Sequence, residues 1–118
     1  MNKTVIIPCY NEKQTILRII EKVKENLIEG DEIIVVDDHS DDGTTEVLSQ
    51  ISDKSIKIIY HKKNFGKGKA LNSALKEELK DIVIIQDADL EYDPSEYNLL
   101  IEPFKKTNAD VVYGSRFS

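Results

Sequence analysis

Three acids stand at alternate positions in Gln86-Asp87-Ala88-Asp89-Leu90-Glu91, directly after the unbroken apolar run Ile82-Val83-Ile84-Ile85. Carboxylates packed this closely repel one another unless something positive joins them. Oxygen ligands of this kind suit a hard divalent cation, magnesium or manganese. Asp87, Asp89 and Glu91 are therefore the candidate metal ligands, with a solvated acidic turn as the plainer alternative. A second acidic group, Asp37, Asp38, Asp41 and Asp42, follows a second apolar run, Ile33-Ile34-Val35-Val36. The stretch from His61 to Lys69 is basic and contains Gly66 and Gly68. A cation site beside a basic loop suits a nucleoside diphosphate, with the cation bridging the phosphates. Lys62, Lys63, Lys67, Lys69 or Arg116 could then cover the remaining charge. Asp38 could accept hydrogen bonds from a base or ribose, and Tyr10 could pack against a ring. Duller roles compete: surface charge for the lysines, a tight turn for Gly66 and Gly68, half-buried packing for Tyr10. His39 and His61 have no ligand spacing between them, and neither is assigned a metal.

The elements that must position these groups follow from the apolar pattern. Apolar runs without alternation read as strands buried on both faces, as in parallel sheets. Thr4-Val5-Ile6-Ile7-Pro8 is the first such strand, stopped by its proline. Apolar residues then recur at helical spacing from about Glu12 to Ile28, and Gly30 ends that helix. Glu32 to Asp37 is the second strand. A short helix carrying Val47, Leu48 and Ile51 follows Gly43, and Ile56 to Tyr60 is the third strand. Ala70 to Leu79 forms a helix through Leu71, Leu75 and Leu79. The run before Asp87 is the fourth strand. Asp93-Pro94-Ser95-Glu96 starts a further helix, with a cap, a proline at the first position and a glutamate reaching back. Ala109 to Tyr113 is the fifth strand.

Strands alternating with helices mean an α/β fold with a parallel sheet, right-handed crossovers and helices on both faces. The acidic loops all follow strands, so they share one edge. In the doubly wound order 3-2-1-4 the switch point falls between the first and fourth strands. Pro8–Glu12, Asp37–Asp38 and Asp87–Asp89 would then surround one crevice.

Composition narrows the class further. The chain has 118 residues, room for one domain over residues 1–118. Its formal net charge of −6 argues against a general nucleic-acid binder. Cys9 is the sole cysteine, which excludes an intramolecular disulfide and suits a small apolar filler at a strand end. No apolar run reaches membrane-spanning length, and no signal-peptide pattern opens the chain, so a cytoplasmic protein is expected.

Five blocks in order carry a resemblance. Val5-Ile6-Ile7-Pro8-Cys9-Tyr10-Asn11-Glu12 resembles the opening of family-two glycosyltransferases with the GT-A fold, and Val35-Val36-Asp37-Asp38-His39-Ser40-Asp41-Asp42-Gly43-Thr44 resembles their second block. Asn64-Phe65-Gly66-Lys67-Gly68-Lys69-Ala70-Leu71-Asn72 is similar to the third, and Gln86-Asp87-Ala88-Asp89-Leu90 to their DxD metal motif. Gly114-Ser115-Arg116-Phe117 is similar to the block after the fifth strand. The third and fifth blocks are most similar to the subgroup that makes polyprenyl- or dolichyl-phosphate sugars.

The resemblance implies a Rossmann-like nucleotide-diphospho-sugar transferase fold and an inverting transfer of a hexose from a UDP- or GDP-sugar. It implies that Pro8, Tyr10 and Glu12 line the nucleotide pocket, with Gly66 and Lys67 beside it, and that Asp38 contacts the base or ribose. Asp87 and Asp89 would hold magnesium or manganese and the diphosphate, with Glu91 where some members place another ligand. Asp89 and Arg116 would serve catalysis, Arg116 facing the phosphates of donor or acceptor. Members continue past the fifth block into an acceptor-binding half that often supplies a carboxylate base, so this chain is expected to be the donor half. A phosphate acceptor, with a second pKa of about 6, is already largely dianionic and needs positioning, not deprotonation. A lipid phosphate at the cytoplasmic membrane face is therefore the expected acceptor. The chain alone should bind nucleotide sugar with metal and transfer weakly or not at all. An apolar edge left by the missing half would favour a homo-oligomer.

Three other readings compete for these residues. A non-catalytic nucleotide-sugar module would present the same donor site. A sugar-phosphate nucleotidyltransferase opens with a glycine-rich basic loop, and Pro8–Glu12 has neither feature. A phosphoacceptor receiver has its acidic pair after the first strand, where this chain has no acid until Glu12.

Overall fold

The structure is a computed structural model that describes residues 1–86 and 110–114. The strands are β1 (Lys3–Cys9), β2 (Glu32–Asp37), β3 (Ile56–Tyr60), β4 (Ile82–Gln86) and β5 (Asp110–Gly114). The helices are α1 (Ile16–Glu25), α2 (Thr44–Ser49) and α3 (Lys67–Leu75). The five strands form one parallel sheet in the order β3-β2-β1-β4-β5. This is the expected 3-2-1-4 arrangement, with β5 added beyond β4. The helix expected after Asp93, and the assignments to Asp87, Asp89, Glu91 and Arg116, lie outside the described residues.

The unalternating strands are buried on both sides because each face carries its own helices. Val5, Ile7, Cys9, Ile33 and Val35 point to one face and pack with Ile16, Ile20 and Val23 of α1 and Leu48 of α2. Ile6, Ile34, Val36, Val83 and Ile85 point to the other and meet Ala70, Leu71 and Ala74 of α3. The strand period of two sorts the branched side chains between the two cores. All of these side chains are buried.

Several boundaries differ from those the sequence suggests. β1 does not stop at Pro8: the strand runs to Cys9, with Pro8 opposite Val36 and Cys9 opposite Asp37. Proline removes a donor, but its φ lies within the strand range, and at a strand end the loss is tolerated. α1 begins at Ile16, not near Glu12, and ends at Glu25 well before Gly30. A turn precedes it, in which Glu12 O accepts from Thr15 N and Ile16 N, while the backbone N–H groups of Asn11, Glu12 and Lys13 donate to Ser40, Thr44 and Asp42. Gly30, with φ at 93°, instead belongs to the turn into β2. α3 starts at Lys67, three residues earlier than the leucine spacing suggests, and stops at Leu75. Leu79 still packs on the core from beyond the helix end. β5 is described as Asp110–Gly114, one residue beyond the expected end at Tyr113, and Ala109 lies outside the described residues.

The opposite edge of the sheet is held by a buried carboxylate. The Asp31 side chain is fully enclosed and accepts from Ile28 N, Asn2 Nδ2, Lys3 N and Lys3 Nζ at 2.7–3.0 Å. Burial alone would raise its pKa. The hydrogen bonds from Ile28, Lys3 and Asn2 outweigh that and hold it well below the usual carboxylate range. A depressed native pKa means that this stabilisation is complete above the unfolded value of about 4 and is lost as pH falls through the lower native value. Asp31→Asn should therefore lower stability at neutral pH by roughly 1–3 kcal/mol and flatten the acid limb. Urea denaturation from pH 7 to pH 2 checks both, and an acid limb of unchanged steepness would contradict the assignment.

Candidate functional site

The carboxyl ends of β1 and β2 lie side by side, and the loops that leave them are laced together. Asn11, at φ 54°, exchanges two hydrogen bonds with Asp41: its Nδ2 donates to Oδ1 at 2.9 Å, and Asp41 N donates to its Oδ1 at 2.8 Å. Asp42 accepts from Lys13 N and from Thr44 N and Oγ1. Asp37 is buried and accepts from Ser40 N, Ser40 Oγ and Thr45 Oγ1. Asp37, Asp41 and Asp42 are thus occupied in shaping the β1–α1 and β2–α2 loops. The hydrogen bonds to Thr44 hold the Asp42 carboxyl below its ordinary value.

Asp38 has a different position. It is buried, its backbone N–H donates to Cys9 O at 2.9 Å, and its carboxylate faces the β3–α3 loop. Oδ1 accepts from Phe65 N at 2.9 Å and meets His61 Nδ1 at 2.8 Å, and Oδ2 accepts from Gly66 N at 2.7 Å. Gly66 has φ at 95°, a conformation that side-chain-bearing residues rarely adopt, and it caps α3. The turn role considered for Gly66 is what its backbone shows. Lys67 then becomes the first residue of α3 and not part of a free loop.

These elements enclose a cleft of about 180 Å³ lined by Pro8, Cys9, Tyr10, Glu12, Asp38, Lys67 and Ala70. Five of the seven residues expected around a nucleotide therefore share one wall: Pro8, Tyr10, Glu12, Asp38 and Lys67. Gly66 stands next to that wall without lining it, and Asp87 lies outside the described residues. The cleft sits at the carboxyl ends of the strands beside the β1–β4 switch point, where open α/β sheets take ligands. Tyr10 lines the cleft and is 43% exposed.

Cys9 closes the floor of the cleft. Burial, and then the carboxylates of Asp37, Glu12, Asp42 and Asp38, push its thiol above the ordinary value. It stays protonated and acts as the apolar filler expected of it. Among the described residues no group of three or more histidine, cysteine or acidic side chains is arranged to hold a metal ion. The acids with that spacing begin at Asp87, directly after Gln86 at the end of β4. Among the described residues, no helix is long and apolar enough to cross a membrane.

Sequence reasoning missed His61. It was a lone histidine, yet its ring bridges Asp38 Oδ1 and Ser73 Oγ, the latter at 2.7 Å from Nε2. The signal was available in the strand order. Asp37 pairs with Tyr60, so the residues that follow them, Asp38 and His61, are neighbours at the sheet edge.

Known proteins resemble this chain in sequence and fold. The family described as Glycosyl transferase family 2 matches residues 4–118. A dolichol-phosphate mannosyltransferase of Pyrococcus furiosus is 36% identical over 99% of this chain and 34% of its own length. An undecaprenyl-phosphate 4-deoxy-4-formamido-L-arabinose transferase of Pectobacterium atrosepticum is 32% identical over 94% of this chain and 36% of its own. Among solved structures, the mannosyltransferase PcManGT of Pyrobaculum calidifontis, in complex with GDP-Man and Mn2+, is similar at a TM-score of 0.66. It is 32% identical, and the match covers 82% of this chain and 30% of that one. The chain thus spans about a third of the length of these relatives. The order of the strands, the cleft at their carboxyl ends and the match across residues 4–118 lead to one conclusion: the chain belongs to glycosyl transferase family 2.

Proposed function

We propose that this chain is the donor-binding part of an inverting glycosyltransferase that moves a hexose from a nucleoside-diphosphate sugar to a polyprenyl or dolichyl phosphate. The observation that carries the reading is the cleft itself, where Pro8, Tyr10, Glu12, Asp38 and Lys67 converge at the switch point of the sheet. Tyr10 is exposed enough to meet the base, and Asp38, whose carboxylate holds the β3–α3 loop, shapes the same wall. The Lys67 cation at the start of α3 favours the diphosphate. The relatives that make dolichyl- and undecaprenyl-phosphate sugars support the acceptor class.

The donor set Asp87, Asp89 and Glu91 is all oxygen and anionic, which fits magnesium or manganese, and PcManGT was solved with Mn2+. When bound, such a cation stabilises the charge that develops on the departing diphosphate. Asp87 and Asp89 would hold it, and Arg116 would face the phosphates. The acceptor phosphate brings its own negative oxygen, so these residues have to orient it, and no base is required of them. The chain spans about a third of the length of these relatives, and transfer by the chain alone should be weak. Association at a membrane face would follow from the acceptor.

Calorimetric titration with GDP and UDP, each with and without manganese, tests the reading. At least one should bind, and more tightly with the metal. Heats near zero for both nucleotides under both conditions would sink it.

A further inference from the structure

We propose that His61 is a positioning residue for the nucleotide cleft, acting through Asp38 to fix the β3–α3 loop and the start of α3. The proposal rests on the cleft being the nucleotide site, as argued above, but its local part is separable. His61 does not line the cleft. Its side chain is 8% exposed, and that of Asp38 is 5% exposed, so both are committed to protein partners. His61 N donates to Asp37 O at 2.9 Å, which seats the residue at the end of β2. The carboxylate of Asp38 is an acceptor, so Nδ1 carries the proton of this 2.8 Å contact. In the neutral ring Nε2 then accepts from Ser73 Oγ at 2.7 Å. Ser73 belongs to α3, so the helix itself sets the orientation of the ring.

The consequences converge on the loop. Asn64 Nδ2 donates to Asp38 O at 3.2 Å, and Phe65 N and Gly66 N donate to the two carboxylate oxygens. Three consecutive residues are therefore tied to one side chain and its carbonyl. The Phe65 ring also stands edge-on to the imidazole, with centroids 5.4 Å apart at 77°. A tilt of the Asp38 carboxylate would release Phe65 and Gly66 together, and Gly66 determines where Lys67 enters the cleft. His61 holds that carboxylate at Oδ1, the oxygen that Phe65 N also reaches. One imidazole thus couples the middle of α3 to its own amino end.

The test compares three chains: unaltered, His61→Ala and His61→Asn. Asparagine places an N–H near the position of Nδ1 and can restore the bond to Asp38, but it cannot reach Ser73. Affinity for GDP or UDP, measured well below the melting temperature, should fall about tenfold in His61→Ala and recover in His61→Asn. Amide hydrogen exchange of Phe65 and Gly66 should accelerate in His61→Ala alone, while the amides of β1 and β2 stay protected. A general loss of stability would not be selective in this way. Unchanged affinity in His61→Ala, or unchanged protection of Phe65 and Gly66, overturns the proposal. Failure of the unaltered chain to bind either nucleotide overturns the donor-site reading instead, and the exchange data then decide the anchoring of the loop by themselves.

Discussion

Asp38→Ala should melt more than about 10 °C below the unaltered chain and lose measurable nucleotide binding. Its carboxylate is buried and satisfies His61 Nδ1, Phe65 N and Gly66 N at once. A buried donor left unpaired costs about 1–3 kcal/mol, so three of them put the loss at roughly 3 kcal/mol or more. In a domain of this size each kcal/mol moves the midpoint by about 4–8 °C. Asp38→Asn separates chemistry from volume. It keeps the shape but turns one acceptor into a donor, which must face either Gly66 N or the pair at Oδ1. The amide should therefore lose most of what alanine loses. Thermal melts of both variants, with titration of GDP and UDP, check this. An asparagine variant that melts and binds like the unaltered chain would show that Asp38 merely fills space.

Replacing Asp87 and Asp89 together with asparagine should leave the fold intact and remove the metal dependence of binding. On the donor-site reading these two carboxylates hold the cation that faces the diphosphate. Changes even to groups that only support metal ligands cost about 10–100-fold in metal affinity, so loss of two ligands should cost at least about 100-fold. Nucleoside diphosphate affinity of the double variant should then be the same in manganese and in chelator. The unaltered chain should fall to that same level once chelator removes the metal. A double variant that still binds more tightly with manganese would place the cation on other groups.

The frame of this protein is written in its apolar runs. Ile33 to Val36 and Val5 to Ile7 carry no polar residue, and only a strand covered on both faces accommodates that. The order of strands follows from the alternation of strands with helices. Boundaries were less legible, because they depend on partners distant in the chain. Nothing local in Asn11-Glu12-Lys13 shows that their N–H groups will go to Ser40, Thr44 and Asp42, the contacts that hold the segment before α1. The early start of α3 likewise depends on Asp38, twenty-eight residues before Gly66. Tertiary partners outweigh leucine spacing at such ends.

The site was legible by type and not by task. Of the acids after β2 only Asp38 is expected at the nucleotide from the sequence, and the structure shows what the four do locally. Asp37, Asp41 and Asp42 shape loops, while Asp38 both lines the cleft and holds the β3–α3 loop. His61 was invisible because its partners are twenty-three residues before it and twelve after it. Only the β2–β3 register reveals the first of these.

The central claim is that a nucleoside diphosphate and a divalent cation meet at the cleft between β1 and α3. An amide NMR titration with GDP or UDP in magnesium, followed by a trace of manganese, addresses it most directly. Resonances of Cys9, Tyr10, Glu12, Asp38, Gly66 and Lys67 should shift with the nucleotide, and paramagnetic broadening by manganese should deepen at this edge once the nucleotide is present. Shifts confined to the opposite edge around Asp31, or broadening indifferent to the nucleotide, would contradict the account.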